Sequence, residues 1–526
     1  MDDPVPVVIV GAGPTGLVAA RLLAVHGVRS VVLDRWPAAY PRPRAVHLDD
    51  EVCRILHRAG VHEEFAAVSR PAGGLRLLGP DHRVLAQFSR GTADGAHGHP
   101  QANMFDQPRL EAILRRAVDR DPLVTLRGGV EVTAVSADGD GPVTVAVTDR
   151  GSGARQALRA RYVLGCDGAN STVRARIGSR MRDLGFAQRW LVVDVDTDAA
   201  IDAWEGVHQV CDPRRAATYM RVGARRYRWE FRLLPGETAA AMSAPQTLRE
   251  LVRPWTRDLP FEELAVVRCA EYTFRAQIAD RWHAGPVFLL GDAAHLTPPF
   301  IGQGLGAGLR DAGNLTWKLA AVLAGTLPAA ALDSYETERR PHVTALIRLA
   351  VGVGRAMTQG GEAGNLLRRL VAPRLVHVPV LRARVLDSTT PPLRRSALCR
   401  RRWSPWSRNG RLCPNPVLGD GRRLDDVLGS SFAVLTVGSL RPQAVAEARR
   451  RRVVLVPVEP ASGLGRWLRR GGAIAALVRP DRTVMRTGGD VAALLRVAPV
   501  LPPAPPPTSP PPRPDPDGSR RRGTPG

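Results

Sequence analysis

Glycine residues follow the first predicted strand in a pattern that can bind a phosphate group. Gly11, Gly13 and Gly16 form a GxGxxG sequence directly after the apolar run Val7–Val10. The first glycine permits a tight turn, the second lets a pyrophosphate approach the main chain, and the third lets the next helix pack on the strand. Asp34 follows about 20 residues later, where a carboxylate can accept both hydroxyls of a ribose. The pattern predicts a site for NAD or FAD without choosing between them, and an ordinary glycine turn is the alternative.

Two later segments also place an aspartate at the end of a predicted strand. Asp167 lies in CDGANSTVR, and Asp292 lies in GDAAHLTPPFIGQGLGAG. In the second segment glycine occupies every second position from Gly302 to Gly308, where a helix is predicted to begin at about Leu305. Glycine at these positions allows either a loose loop or the close approach of a flat ligand to main-chain N–H groups.

The elements that must position these segments form a parallel sheet. The strand Val7–Val10, a helical pattern over 15–26 and a second strand over 31–33 form a βαβ unit, which implies a parallel sheet. Two more apolar runs, over 162–165 and 287–290, each end in an acidic turn. We therefore expect the three turns, each at the end of a strand, to converge on one ligand.

A different pattern occupies the chain between about 180 and 280. Tyr227, Trp229 and Phe231 alternate with polar residues, which is the period of a half-buried strand. This region is predicted to form a sheet inserted into the first domain. The three aromatic residues are either the roof of a substrate pocket or plain core. Residues 303–355 are predicted to be helical, and a further βα-like stretch spans about 415–497.

Composition indicates a globular protein of several domains. The chain has 526 residues, of which 44% are hydrophobic. It contains no run of about 18 uncharged apolar residues, so no membrane span is predicted. The acidic N-terminus lacks the features of a signal peptide. The six cysteines include no CxxC pair, which suits a reducing cytoplasm and argues against disulfides or a zinc site. No metal site is predicted.

The formal net charge of +24 is compatible with nucleic-acid binding. However, Lys318 is the only lysine, so nearly all the basic residues are arginine, and they are spread along the chain. This distribution is typical of a compositional bias and a solvated basic surface. We therefore expect no nucleic-acid partner, although a basic nucleic-acid-binding protein remains a rival from another class.

The order of the three segments resembles the single-component flavoprotein aromatic hydroxylases, the para-hydroxybenzoate hydroxylase-like group. This resemblance implies that Gly11, Gly13, Gly16 and Asp34 hold the ADP part of FAD. It also implies that Gly291 and Asp292 bind the ribityl chain. The Asp167 segment would serve both FAD and a passing nicotinamide, since no second strand–GxGxxG–helix unit is present.

The same resemblance assigns residues to the flavin ring. The segment with Pro299, Gly302, Gly304 and Leu305 would lie beside the pyrimidine end of the isoalloxazine, with the helix N-terminus aimed at the ring. Arg44 and Gln107 are implied to lie near the flavin or its phosphates, with a surface arginine as the alternative for Arg44. His47 would take a phenol proton or bind a carboxylate, and a structural histidine is the alternative. His295 is interpreted as structural.

A closer similarity connects the chain to the 3-(3-hydroxyphenyl)propionate hydroxylase branch. It is carried by YPRPRAVHLDDE, FDQPRLEAIL, GLRDAGNLTWKLA and YETERRPH. The branch implies an α/β fold with a Rossmann-like FAD-binding domain, an inserted β-sheet substrate domain and a C-terminal thioredoxin-like domain. The expected intervals are 1–180 with 281–394, then 181–280, 395–498, and a disordered Pro/Arg-rich tail over 499–526. Phe300 and Ile301 depart from the family pattern, which leaves the substrate open.

The expected activity follows from the family. It is an NAD(P)H-dependent FAD monooxygenase that hydroxylates a phenol through a flavin hydroperoxide, with O2 and a small aromatic molecule as substrates. A 3-(3-hydroxyphenyl)propionate-like acid converted to a catechol is favoured. A polycyclic aromatic polyketide intermediate, or an FAD-dependent reductase without oxygen chemistry, is the alternative. The resemblance also allows a homodimer and a cytoplasmic location.

Overall fold

The computed structural model describes residues 3–39, 45–137, 141–375, 390–400 and 406–501. Within these ranges the architecture is mixed α/β. The α-helices are Pro14–Val25, Asp50–Arg58, His62–Ala66, Gln107–Asp119, Thr172–Arg176, Ala239–Met242, Pro245–Thr256, Gly304–Leu323, Ser334–Thr358, Gly361–Leu375, Leu424–Leu428, Pro442–Arg451, Gly463–Arg470 and Val491–Arg496. Short 3-10 turns lie at Phe261–Glu263, Gly291–Ala293, Pro299–Ile301 and Ala329–Asp333.

The first sheet has eight strands and a parallel centre. Its strands in chain order are Val5–Val10, Ser30–Asp34, Val124–Gly128, Val130–Ser136, Val143–Asp149, Arg155–Gly165, His283–Ala284 and Val287–Leu289. Both faces of the first strand are covered, so Val7, Val8 and Ile9 are fully buried. Such continuous burial explains why this strand reads as an unbroken apolar run.

The register of this sheet aligns the carboxyl ends of its neighbouring parallel strands. Val10 pairs with Leu33 on one side and with Gly165 on the other, and Gly165 in turn pairs with Leu289. Parallel strands share one carboxyl edge, and ligands bind outside that edge in open α/β sheets. The register therefore places the three glycine–aspartate segments side by side, as the sequence predicts.

The second sheet is the inserted one and also has eight strands. Its spatial order is His295–Leu296, Ala265–Ala279, Met181–Asp196, Arg226–Arg232, Ala217–Arg221, Val207–Val210, Gly74–Leu78 and Val84–Ser89. It is wider than the predicted interval 181–280, because the hairpin over 74–89 adds two strands at one edge and residues 295–296 add another. A third, three-stranded sheet joins His47–Asp49, Ala102–Met104 and Arg70–Pro71.

The aromatic alternation in the inserted sheet belongs to a hydrophobic core. Tyr227, Trp229 and Phe231 are almost completely buried and pack in one cluster with Trp255 of the helix Pro245–Thr256. Of the two interpretations of these aromatic residues, plain core is correct. A period-two pattern tells which residues share a face, but not which neighbour covers that face.

The C-terminal region has the thioredoxin-like arrangement that the resemblance implies. Its four strands lie in the order Val454–Pro457, Ala433–Thr436, Ala475–Val478 and Val484–Gly488. The first two are parallel, and the other pairings are antiparallel. This βαβ unit followed by a hairpin and a helix confirms the fold class. The predicted tail over 499–526 lies almost wholly outside the described residues.

Contacts between the C-terminal domain and the long helices are apolar and ionic. Trp317 of the helix Gly304–Leu323 meets Phe432 edge-on, with ring centroids 5.4 Å apart. Glu338 accepts hydrogen bonds from Lys318 at 2.9 Å and from Arg479 at 2.8 Å, and all three side chains are fully buried. Among the described helices none is long and apolar enough to span a bilayer.

Candidate functional site

The three glycine–aspartate turns touch one another at the carboxyl edge of the first sheet. A Cβ added at Gly11 would lie 2.4 Å from the carbonyl oxygen of Cys166, so the first turn lies directly against the second. A Cβ added at Gly291 would lie 2.9 Å from Oγ1 of Thr15, which follows the first turn. The structure thus brings all three predicted segments into one site.

The glycines of the first turn serve different purposes. Gly11 has a φ of +106°, which favours glycine, and a Cβ at Gly16 would lie 2.0 Å from the Gly11 carbonyl oxygen. Both residues are therefore required by the packing of the protein itself. Gly13 is different, since its φ is −73° and no described atom lies within 4 Å of a Cβ added there. Protein packing does not require glycine at position 13, and its absence of a side chain leaves the main chain open to the approach of a ligand.

Asp34 is attached to this first turn. Its Oδ2 accepts a hydrogen bond from the amide of Ala12 at 2.6 Å, and its Oδ1 accepts one from Trp36 at 2.8 Å. The side chain remains partly exposed. Each carboxylate oxygen has a second lone pair, so the residue can still accept the hydroxyls of a ribose while it holds the turn in shape.

Asp167 lies against the start of the helix Thr172–Arg176, whose N-cap is Ser171. Its carboxylate accepts hydrogen bonds from Ser171 Oγ at 2.5 Å and from the amide of Val173 at 3.1 Å. Burial raises its pKa, against the hydrogen bond from Ser171. Arg174 then joins the second turn to the third, because it donates to the carbonyl oxygens of Ala169 at 2.7 Å and Ala293 at 3.1 Å.

The third turn is stabilised by the buried ionic group of Asp311, His295 and Arg339, which the sequence does not predict. Asp292 is exposed between buried Gly291 and Ala293. Asp311 accepts from the amide of Gly291 at 3.1 Å and lies 2.7 Å from His295 Nε2. Burial opposes the ionisation of Asp311, but the charges of His295 and Arg339 hold its pKa below the ordinary value. His295 is buried and structural in these contacts.

The alternating glycines have separate structural reasons. Gly302 ends the turn Pro299–Ile301 with a φ of +64°. A Cβ at Gly308 would lie 3.0 Å from the Cα of Gly291, so the helix packs closely on the third turn. At Gly304 the nearest described atom would be 3.8 Å from a Cβ, which is an ordinary contact. Like Gly13, Gly304 is a glycine that the packing of the protein does not require.

The helix begins at Gly304, one residue before the predicted Leu305. Phe300, directly before this region, is buried against the rings of Trp190, Phe186 and Phe274. The carbonyl oxygen of Phe300 accepts a hydrogen bond from Gln209 of the inserted sheet at 3.1 Å. The glycine-rich turn is therefore fixed to the face of the inserted sheet that is opposite Tyr227, Trp229 and Phe231.

His47 lies against the glycine-rich turn. Its Nδ1 is 3.4 Å from the Gly302 carbonyl oxygen, and its strand pairs His47 with Met104. Burial, followed by the charge of Arg90, lowers the pKa of His47 to about 4. The imidazole is therefore neutral near pH 7. A hydrogen on Nδ1 that faces the Gly302 carbonyl leaves the lone pair of Nε2 to accept another hydrogen bond.

Gln107 contacts the chain that leads into His47. Its Oε1 accepts from the amide of Ala45 at 2.7 Å, and its Nε2 donates to Glu111 at 2.7 Å. Gln107 thus holds the chain at Ala45, which positions the strand of His47. Arg44 lies outside the described residues.

A buried acidic network beside His47 was also missed. Asp49 caps the helix Asp50–Arg58 through the amide of Val52 at 2.9 Å and accepts from Gln303 at 2.8 Å. Arg310 pairs with both Asp49 and Glu51. From the sequence alone, Asp49 and Asp50 could equally lie on the surface of a helix, whereas both are almost completely buried. The DDE sequence before an apolar pattern is a helix N-terminal signal that indicates Asp49 as a cap.

On the inserted sheet, the residues opposite the aromatic core are charged. Arg228 donates to Asp194 at 2.7 and 3.0 Å, and both side chains are buried. Glu230 lies in the same pattern, and burial raises its pKa. The polar positions between Tyr227, Trp229 and Phe231 are therefore not exposed to solvent but form a second buried layer. No local pattern in the sequence indicates that their charges are paired within the fold.

Comparisons with known proteins agree with this geometry. A family model described as "FAD binding domain" matches residues 4–350. A probable NADH-specific resorcinol 4-hydroxylase of Rhodococcus jostii (strain RHA1) is 34% identical, covering 95% of this chain and 97% of the relative. A 3-(3-hydroxy-phenyl)propionate/3-hydroxycinnamic acid hydroxylase of Burkholderia cenocepacia (strain HI2424) is also 34% identical, with coverage of 91% and 93%.

Solved structures show the same fold over nearly the whole chain. A complex of aklavinone-11 hydroxylase with FAD and aklavinone has a TM-score of 0.79 at 26% identity, covering 95% of this chain and 100% of the other. An anhydrotetracycline hydroxylase from Streptomyces rimosus has a TM-score of 0.74 at 27% identity, with coverage of 95% and 99%.

Proposed function

The chain belongs to the FAD-binding-domain family that contains the flavoprotein aromatic hydroxylases, and from this premise we propose that it hydroxylates a phenolic acid of the 3-(3-hydroxyphenyl)propionate type to a catechol. The observation that supports the proposal is the register of Val10, Gly165 and Leu289, because it brings the three turns that we propose to bind FAD to one edge of the sheet. Two relatives at 34% identity act, by their names, on phenols with a second substituent meta to the hydroxyl.

The residues of this edge fit FAD. Gly13 and Gly304 are glycines that protein packing does not require, and both adjoin a helix N-terminus. We propose that Gly13 lies under the pyrophosphate, that Asp34 accepts the ribose hydroxyls, and that Asp292 accepts the ribityl hydroxyls. The chemistry that FAD supplies in this family is acceptance of hydride from NADH or NADPH and activation of O2.

His47 would orient the phenol. Its Nε2 lone pair can accept a hydrogen bond from the substrate hydroxyl, which makes the aromatic ring more electron-rich. With a pKa of about 4, the imidazole cannot retain that proton near neutral pH. We therefore assign His47 the role of a hydrogen-bond acceptor that favours the phenolate rather than that of a base that stores the proton.

Burial around the glycine-rich turn would exclude water from the reaction. Phe300, Trp190 and Phe274 form an aromatic cluster between this turn and the inserted sheet. Excluding water protects reactive oxygen species from unproductive decay and strengthens the hydrogen bonds inside the site. O2 is the proposed second substrate. The six cysteines are free thiols, which supports the proposal of a cytoplasmic enzyme, and a homodimer is the proposed assembly.

A second candidate substrate is a polycyclic aromatic polyketide intermediate. It is favoured by the similarity in fold to the aklavinone and anhydrotetracycline hydroxylases. The relatives with higher identity over the whole chain favour the simple phenolic acid instead.

The deciding experiment is a substrate panel. Purified protein with bound flavin is incubated with NADH or NADPH and a series of phenols that includes resorcinol, 3-(3-hydroxyphenyl)propionate and an anthracyclinone. O2 uptake, hydrogen peroxide and product mass are measured together. We expect the phenolic acid to accelerate NAD(P)H oxidation and to yield a product heavier by one oxygen atom. NAD(P)H oxidation without O2 uptake would indicate a reductase, and a protein that binds no flavin would refute the proposal.

A further inference from the structure

A cavity of about 490 Å3 lies between the first domain and the thioredoxin-like domain. On one side it is lined by the helices Asp50–Arg58 and Gly304–Leu323, and on the other by residues 410–414 and 481–483. None of the described residues predicted to bind FAD is among its lining. The cavity is therefore separate from the edge where the three turns meet.

The lining of this cavity is strongly basic. It contains seven arginines against three carboxylates, Asp50, Glu51 and Asp481. Four of the arginines are paired with carboxylates in or behind the wall, and these are Arg54, Arg310, Arg339 and Arg482. The other three have no carboxylate within 4 Å among the described residues, and these are Arg58, Arg408 and Arg411.

Arg58 has an unusual environment for an arginine. Its guanidinium makes no hydrogen bond to any residue that the structure describes, and one of its terminal nitrogens lies beside Gly313 on the cavity wall. Burial, followed by the charge of Arg482, lowers the pKa of Arg58 to about 9. Arg58 is only partly buried and lines the cavity, so a bound anion would supply the hydrogen-bond acceptors that the described residues do not.

A second cavity, of about 420 Å3, adjoins the first. The two share Ala96, Arg408, Pro414 and Trp467 as lining residues. The charged residues described in the second lining are all arginines, namely Arg408, Arg466 and Arg470. Arg408 lies between the two cavities, with its guanidinium 5.2 Å from the ring centre of Trp467. Each volume lies within the range of about 300–1,000 Å3 that is common for small-molecule sites.

We propose that these two cavities form one cleft that binds an elongated small molecule carrying phosphate or carboxylate groups, with Arg58 and Arg411 in the first cavity and Arg408 where the two cavities meet. Arginine presents a planar set of donors that matches the oxygens of either group. The shape of the cleft and the series of arginines along it fit a ligand with more than one anionic group. Binding at this cleft can be measured without turnover, so its test does not depend on the proposed hydroxylation.

Inorganic pyrophosphate is the first probe. It is titrated into the flavin-loaded full-length protein by calorimetry, for the parent and for Arg58→Met and Arg408→Met. We expect saturable binding to the parent and a loss of affinity of about tenfold or more in each variant. Arg469→Met is the matched control, because it removes the same charge from the helix Gly463–Arg470 at a position outside the described lining. It should bind as the parent does.

Steady-state kinetics identify the source of the anion. A rise in KM for NADH or NADPH in both variants, with kcat and the KM for the phenol unchanged, would identify a dinucleotide. A rise in KM for 3-(3-hydroxyphenyl)propionate but not for resorcinol, which has no carboxylate, would identify a carboxylate substrate. Loss of pyrophosphate binding with unchanged kinetics would identify an anionic effector.

The proposal is overturned if the parent does not bind pyrophosphate, or if both variants bind it as the parent does. Thermal melting shows whether Arg58→Met is folded. Should this variant not fold, Arg408→Met decides the question, since Arg408 is only half-buried where the two cavities meet. Failure of the proposed hydroxylation would leave the calorimetric result intact.

Discussion

Gly302 and His47 are packed so closely that no side chain fits between them. A Cβ at position 302 would lie 2.7 Å from His47 Nδ1, and the main chain of Gly302 has a φ of +64°. The location of the imidazole is thus set by a residue without a side chain, 255 positions away in the sequence.

Replacing Gly302 by alanine should displace His47. We expect kcat for hydroxylation to fall about 10- to 100-fold, because a small misplacement of a group beside the substrate has an effect of this size. Bound flavin and product mass are measured together. Gly285→Ala is the control, since Gly285 has a φ of +54° with no described atom within 4 Å of the added Cβ. Equal activity of the two variants would show that the Gly302–His47 contact is unimportant.

Removing the imidazole tests the role of His47 directly. His47→Ala should hydroxylate more slowly while it retains FAD, and His57→Ala, at a partly exposed position, should behave as the parent. In the parent, the pKa of about 4 keeps His47 neutral over the range pH 5 to 8. The pH profile of kcat/KM should therefore show no inflection from His47 between those values. Equal product yield from His47→Ala and the parent would make this residue structural.

Alanine should have opposite effects at two positions of the first turn, Gly13 and Gly16. Gly13→Ala should leave the melting temperature of the FAD-free protein unchanged, because the new methyl group meets no described atom, but should weaken FAD binding. Gly16→Ala should destabilise the FAD-free protein, because its Cβ would lie 2.0 Å from the Gly11 carbonyl oxygen. Melting curves and flavin titrations separate these effects. A Gly13→Ala protein with parental FAD affinity would contradict the proposed pyrophosphate position.

Asp292 should matter for the cofactor rather than for the fold. Asp292→Ala removes an exposed carboxylate, and we expect FAD to dissociate about tenfold more readily, the effect of one lost hydrogen bond to a charged group. Asp420→Ala removes an exposed carboxylate from the C-terminal domain and is the control. Flavin fluorescence after dilution measures the release. Unchanged flavin content in Asp292→Ala would refute the assignment.

Buried histidines should make the protein sensitive to acid. Burial is the main cause that lowers the pKa of five of them to about 3 or 4, and these are His26, His47, His62, His99 and His208. Above about pH 6.5 these histidines are neutral in both the folded and the unfolded protein, so their burial does not lower the free energy of unfolding through protonation. Between about pH 6.5 and 4 the unfolded chain binds more protons than the folded one, so the free energy of unfolding falls as the pH falls.

Urea denaturation at pH 7.5, 6.0 and 5.0 measures this effect. The midpoint should decrease steadily below about pH 6.5, and a His26→Gln variant should show a shallower decrease, by about one proton. A midpoint that stays constant from pH 6.5 to 5 would show that these histidines are accessible to protons in the folded protein.

Much of the site could be predicted because glycine and aspartate at the ends of parallel strands are typical of turns that bind a dinucleotide. The parallel strands, the three turns and their convergence follow from apolar runs that end in Gly11, Asp167 and Asp292. The thioredoxin-like arrangement required the family resemblance, since the strands alone do not specify their order. The domain intervals remain predictions.

Other parts of the site depend on contacts between residues far apart in the sequence. Asp49 can be buried because it pairs with Arg310, which lies 261 positions later in the chain. No local sequence pattern predicts this pairing. Likewise, Arg228 and Glu230 look like the solvent face of a strand, but another layer of the protein covers them. Periodicity identifies a face, and only the tertiary structure decides what the face meets.

The helix Gly304–Leu323 begins beside the glycine-rich turn and carries Trp317 and Lys318 near its far end, where Phe432 and Arg479 enclose them together with Glu338. Deleting everything after residue 375 would leave an indole in water and the Lys318–Glu338 pair without its third member. A truncated gene should therefore yield aggregated polypeptide instead of a smaller flavoenzyme. In this chain the thioredoxin-like domain has no CxxC pair, and it covers one end of the helix whose other end lies beside the glycine-rich turn.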